Sequence, residues 1–248
     1  AVASTRFLAE QARFQSGAVV LAARPLARYL GAPRGPARRE SEVVVLRAPS
    51  VFWNAACVLN SLVALNAEEL AGARAARGGA SGIPVPGMRF VASEELADGA
   101  SEALAAFEAS VVFPYDVSQM RLYELYALGL PILLPAREQL PSYIYRGMTT
   151  LDDFNHALPQ ARHANRSAEA ARLPHLAHDP FDRDSWRAVD AWSDLTHWRS
   201  LPHLLHCASI AEMLLRLACE DLRPASAGMR RRQERDLVRA VRFWGTAL

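Results

Sequence analysis

The tightest constraint on this chain is a repeated change of hydrophobic period. Short continuous apolar runs alternate with stretches of helical spacing. Val43–Leu46 is an unbroken β-branched run of the kind found in a strand buried on both faces. Phe52–Leu70 follows with helical period, then a Gly/Ala/Pro-rich stretch, 71–87, expected as a flexible loop. Met88–Ala92 reads as a second strand, Ser101–Ala109 as a helix capped by Ser101, and Val111–Phe113 as a third strand. Ser118–Leu128 is then a helix and Ile132–Leu134 a fourth strand. Strand, helix, strand, helix in this order demands a parallel sheet with right-handed crossovers, because parallel neighbours cannot be joined by tight turns. The expected fold class is therefore α/β, a Rossmann-like doubly wound parallel sheet with a C-terminal helix.

The flanks differ in texture. Residues 3–14 read as a short amphipathic helix with Ser4 or Thr5 as N-cap, and 18–23 as a strand. Gly, Pro and Arg crowd 31–41, so 1–41 is expected as an interdomain or linker segment. The sheet domain is expected over 42–223, with an irregular excursion at 137–185. Trp186–Trp198 looks helical, His203–Cys207 a last strand and Ser209–Ala218 a last helix of the sheet domain. A basic terminal helix, Met229–Ala247, follows Pro224 within 224–248.

Composition narrows the chemistry. The 248 residues carry 28 basic side chains, all arginine, against 26 acidic ones, and the formal net charge is +2. With no lysine, Schiff-base chemistry and a lysine phosphate clamp are excluded, and anion recognition falls to arginine or helix N-termini. The near-neutral balance gives no footprint for nucleic acid. No run approaches the ~20 apolar residues of a membrane span. No charged segment precedes an apolar stretch at the start, so no signal peptide is expected in this chain. The sequon Asn165-Arg166-Ser167 is compatible with a secretory or organelle lumen as well as a cytoplasmic location.

Cys57, Cys207 and Cys219 are widely spaced and are expected as buried free thiols. The seven histidines fall between His156 and His206 without metal-ligand spacing, so no metal is expected. His203 and His206 alternate with leucine and read as structural residues. Trp186, Trp192 and Trp198 read as core packing rather than a stacking platform.

The most informative segment is 109–135, ASVVFPYDVSQMRLYELYALGLPILLP. A helix starting at Ser118 would present its first amides at the carboxyl end of the sheet, where open α/β sheets take ligands and a helix N-terminus favours an anion. Asp116 stands just before that terminus, and Glu124 lies eight residues on.

Asp116, seven residues, Glu124, and then Ala127, Gly129, Pro131 and Ile132 resemble the donor-site motif of GT-B glycosyltransferases, E-x7-E followed by x-x-A-x-G-x-P-[VI]. Leu104–Pro114 is similar to the helix and strand that precede the motif. Residues 3–13 resemble the closing segment of that family's N-terminal domain. The resemblance implies the C-terminal, nucleotide-sugar-binding half of a GT-B fold, of the retaining type if active. Glu124 would accept from the ribose hydroxyls, the amides of Ser118, Gln119 and Met120 would receive the diphosphate, and Asp116 would act catalytically at the donor sugar. Arg47 would neutralise the leaving diphosphate, while Phe52 stands where the family carries a lysine. Asp116 replaces the usual glutamate. The implied partners are a nucleoside diphosphate sugar as substrate, with no further cofactor, and an acceptor-binding N-terminal domain or partner chain outside these residues. The alternative is a non-catalytic GT-B-like domain serving as a structural or binding subunit of a larger complex.

Overall fold

A computed structural model describes residues 1–30, 39, 41–46, 54–79, 81–96, 101–144, 172–182 and 184–247. The chain divides into two compact units. The first comprises Ala1–Pro25, Pro114–Gln119 and Arg137–Leu201; the second comprises Leu26–Phe113, Met120–Ala136 and Pro202–Leu248.

The second unit is the α/β sheet domain. Its strands are β3 (Glu42–Leu46), β4 (Arg89–Ala92), β5 (Ala109–Val112), β6 (Ile132–Pro135) and β7 (Leu205–Cys207), all parallel, in the order β4-β3-β5-β6-β7. Val43 pairs with Phe90 on one side and Ala109 on the other. Ser110 pairs with Ile132, and Leu133 with Leu205. The central strands β3, β5 and β6 are buried along nearly their whole length, as their continuous apolar runs require. From β3 the chain moves outward to β4, then returns past β3 to β5 and continues to β6 and β7. Right-handed crossovers in these opposite directions put helices on both faces. Accordingly α9 (Ile210–Cys219) packs on α3 (Ala67–Ala76), and α10 (Arg223–Ala247) packs on α5 (Met120–Leu128). This is the Rossmann-like, doubly wound architecture with its terminal helix.

Several boundaries differ from the sequence expectation. The stretch 71–87 is not a continuous loop, because its first part completes α3. Ala, Glu, Leu and Arg propagate a helix past Gly72, and only the glycines at 78 and 79, both with positive φ, stop it. The helical stretch before it breaks at Asn66 into α2 (Ala55–Leu65) and α3; Phe52 lies outside the described residues. The helix beginning at Ser101 closes at Leu104 as α4, because Ala109 is claimed by the sheet. The last strand is shorter than 203–207, as His203 adopts a φ of +67° that no strand residue holds. The terminal helix starts six residues before Met229, with Pro224 inside its first turn, where a missing N–H costs nothing.

Two features fix the edges of the sheet. Asn60 of α2 donates to the Phe90 carbonyl at 2.8 Å and accepts from the Phe90 amide at 2.8 Å, so one side chain satisfies the strand's free edge. Gly82 approaches the Ala218 backbone so closely that a Cβ would lie 2.5 Å from it, and its φ is +84°. Only glycine fits there, which lets Ile83 donate to the Leu217 carbonyl at 2.7 Å.

The first unit contains a small parallel pair, β1 (Val2–Ala3) with β2 (Leu21–Ala22), and helices α1 (Arg6–Ser16), α6 (Leu140–Ile144), α7 (Trp186–Ser193) and α8 (His197–Ser200). Thr5 is the N-cap of α1, its hydroxyl accepting from the Leu8 amide at 3.1 Å. The core is built on Trp192, fully buried, against Phe7 and Phe14 edge-on at 5.6 and 5.9 Å. Its indole donates to the His178 carbonyl at 3.0 Å. Trp198 is equally buried, whereas Trp186 is exposed, so two of the three tryptophans form core. The single helix expected over 186–198 is two, separated at Asp194–Thr196, where the Thr196 hydroxyl donates to the Ser193 carbonyl at 2.7 Å. Within the expected excursion 137–185, α6 and a 3-10 turn at Pro174–Ala177 are ordered elements; 145–171, and with it the sequon, lie outside the described residues.

Candidate functional site

The motif segment reaches the structure in two parts. Asp116, Ser118 and Gln119 belong to the first unit, Met120 and Glu124 to the second. Arg47 lies outside the described residues.

In the second unit, α5 follows β5 in the chain and runs back toward the next strand. Glu124 sits at its centre, largely buried, and both carboxylate oxygens are engaged. Arg121, one turn earlier, contacts one oxygen at 2.7 Å, and the Tyr29 hydroxyl donates to the other. Tyr29 is 95 residues away in sequence, so nothing in the local pattern announces it. The bond has an electrostatic signature. Donating to Glu124 pushes the Tyr29 phenol up to about 12, since removing the proton would leave two anions in contact. A carboxylate offers roughly four lone-pair sites, so two partners still leave Glu124 able to accept from a ligand hydroxyl.

In the first unit, the turn Pro114–Gln119 is closed by its own side chains. Asp116 is buried, and its Oδ1 accepts from the Val117 amide at 2.6 Å. Gln119 turns its amide oxygen back onto the amides of Tyr115 at 2.8 Å and Asp116 at 3.1 Å. Trp198 donates its indole N–H to the Asp116 carbonyl at 2.8 Å. With these bonds in place Ser118 is not the N-cap expected from the sequence, and the helix begins two residues later at Met120. Local side-chain bonds to backbone compete with a helical first turn, and here they win.

The tail of the motif has a conformational explanation. Gly129 has φ +66°, its amide donates to the Tyr126 carbonyl at 3.1 Å, and the Leu130 amide donates to the Leu125 carbonyl at 3.1 Å. This is a Schellman ending, which satisfies two last carbonyls and needs a residue tolerant of left-handed backbone. Pro131 follows, and its carbonyl accepts from both the amide and the hydroxyl of Ser110 on β5, at 2.8 and 3.1 Å. The Gly and Pro of the pattern thus stop a helix and launch a buried strand.

A cavity of about 670 Å³ opens elsewhere in the second unit. It lies at the amino ends of β5 and β6, against Phe107, Glu108, Pro131, Arg223 and Arg230, and no pattern in the sequence pointed to it. Arg223 pairs with Asp221 at 2.8 Å, and Arg230 donates to the Ser226 hydroxyl at 3.1 Å. The cavity is thus at the end of the sheet opposite to the one expected for a ligand; Gly129 and Pro131 of the motif's tail line it, but Asp116, Ser118, Gln119, Met120 and Glu124 do not.

The cysteines and histidines are resolved individually. Cys207 and Cys219 are buried, but Cys57 is exposed on α2, contrary to the expectation of a buried thiol. Burial pushes the Cys207 thiol up to about 12. His206 contacts the Pro135 carbonyl at 3.2 Å, and His203 is exposed. His175, which the sequence did not single out, is buried in the first unit. Its Nε2 lies 3.2 Å from Glu10, and its ring meets Trp192 edge-on at 5.1 Å.

Among the described residues, no group of three or more His, Cys, Asp or Glu could hold a metal ion, and no helix is long and apolar enough to cross a membrane. No family model, curated protein or solved structure matches this chain.

Proposed function

We propose that the sheet domain binds a nucleoside diphosphate sugar, as the donor-binding half of a GT-B-type glycosyltransferase. The observation that carries the reading is the strand order. The winding of the chain through the parallel sheet reverses between β3 and β5, and α5, which bears Glu124, is the helix that follows β5. Doubly wound sheets bind nucleotides outside the carboxyl ends of the strands at such a reversal. Glu124 would accept from the ribose hydroxyls, held in place by Arg121 and Tyr29. The helix N-terminus at Met120 would favour the diphosphate, a role suited to a chain without lysine. The catalytic role of Asp116 and retention of anomeric configuration belong to the same proposal through the motif.

A specific observation favours a second reading, a non-catalytic GT-B-like domain with a structural or binding role. Both oxygens of Glu124 and one oxygen of Asp116 are already bonded within the protein, which is how carboxylates that only stabilise a fold are held.

Thermal unfolding of the chain with UDP, GDP, ADP and their sugar conjugates separates the two. A nucleotide at about 100 times its Kd stabilises by about 2.7 kcal/mol, a shift of several degrees. A shift lost in Glu124→Gln, which unfolds at its own normal temperature, supports the donor site. A folded chain that responds to no nucleotide overturns it and leaves the non-catalytic role. Asp116→Asn, assayed together with the acceptor-binding half, then tests catalysis, because it should spare nucleotide binding and abolish sugar transfer.

A further inference from the structure

The terminal helix α10 carries a surface that the nucleotide reading does not use. Its inner side is set by Met229, fully buried, and by Gln233, whose side-chain amide donates to the Leu26 carbonyl. Asp236, Ala240 and Phe243 continue that side at spacings of three or four residues and are half-buried. The outer side should then be polar. Instead Val238, Val241 and Trp244 are 51, 63 and 47% exposed, at successive spacings of three. Phe243 meets Trp244 edge-on at 5.0 Å. Beside it stand the exposed arginines 231, 235, 239 and 242, with Glu234 the exposed acid on the same outer side. Within 229–248 there are six arginines and two acidic residues, and one of those acids, Asp236, is taken up by Arg232 at 2.9 Å and Arg239 at 3.7 Å.

An apolar strip of Val and Trp flanked by arginine is the chemistry of a helix lying in a lipid interface. The apolar side chains enter the acyl boundary, Trp sits at headgroup depth, and guanidinium groups take phosphates as bidentate donors. A face made only for water would not keep three large apolar side chains in a row, and a neutral protein partner would not call for the excess of cations. We infer that the outer face of α10 docks on an anionic phospholipid surface, with Val238, Val241 and Trp244 inserted and Arg231, Arg235, Arg239 and Arg242 facing the headgroups. Docking at this face is independent of nucleotide binding.

Flotation of the purified chain with vesicles tests this. The chain should float with phosphatidylcholine vesicles containing about 30% phosphatidylglycerol, and not with phosphatidylcholine alone. High salt should weaken the association, because the charge contribution is screened. Each arginine near an anionic surface is worth about fivefold in partitioning, so Arg231→Gln with Arg235→Gln should lower it by roughly 25-fold. Val241→Asp should abolish flotation and leave the unfolding temperature unchanged, since the side chain is exposed. Failure of the folded chain to float with anionic vesicles overturns the inference, as does flotation indifferent to both variants. A dimer in solution that Val241→Asp dissociates, without vesicle binding, would assign the stripe to a second copy of the chain and equally overturn it.

Discussion

Replacing Gly129 by alanine tests the assignment of the motif's tail to conformation. At φ +66° a Cβ meets the local backbone, which costs about 1 kcal/mol relative to glycine. The added Cβ would also lie 2.6 Å from Nε and 2.8 Å from Cγ of Arg230, so that side chain must swing away. Arg230 is exposed and flexible, and moving it forfeits its bond to the Ser226 hydroxyl, worth about 0.5 kcal/mol. The expected destabilisation is therefore about 1.5 kcal/mol, or roughly 3–6 °C in unfolding temperature for a chain of this size. Urea and thermal unfolding of Gly129→Ala, Arg230→Ala and the double variant apportion the effect. Arg230→Ala forfeits the same bond, so Gly129→Ala should cost about 1 kcal/mol when added to Arg230→Ala, against about 1.5 kcal/mol in the parent. An alanine variant as stable as the parent, or more so, would refute the argument, because that is how alanine behaves where glycine sits in ordinary helical backbone. Nucleotide response measured well below the transition should be unchanged, since the residue shapes the helix end.

Other outcomes follow from single contacts. Glu124→Gln removes the anion that holds the Tyr29 proton, so an alkaline ultraviolet titration should show one phenol moving from about 12 toward its ordinary 10, a change missing in Tyr29→Phe. Burial holds the His175 imidazole below its ordinary 6.5, and the hydrogen bond to Glu10 only partly opposes this. The unfolded chain therefore binds that proton more readily than the folded one. Stability from this residue is complete above about pH 6.5 and declines as pH falls below it, and His175→Gln should flatten the decline in urea midpoints. In the folded chain Cys57 alone should react quickly with a thiol reagent, with Cys207 and Cys219 following only on unfolding. Two fast thiols would contradict the packing of β7 and α9.

What the sequence determined by itself is what short range can encode. The unbroken runs at Val43–Leu46 and Ile132–Leu134 specify strands buried on both faces, and their alternation with helical period specifies a parallel sheet. Gly129 announces a helix stop and Thr5 a helix start, because caps are made within a few residues of themselves. Where the local reading failed, a competing bond had intervened, one of them local and one from a distant strand. The Gln119 side chain turned onto Tyr115 and Asp116 and delayed α5, and the β3 partner claimed Ala109 from its expected helix. Only the tertiary structure decided the strand order, since hydrogen-bond ladders between parallel strands join segments whose period is the same whichever neighbour they choose. It also decided which groups meet: Tyr29 with Glu124 across 95 residues, and His175 with Glu10 across 165. Likewise it decided that the Val238–Trp244 stripe stays uncovered, because a helix's period states which residues share a face but not what, if anything, packs against it.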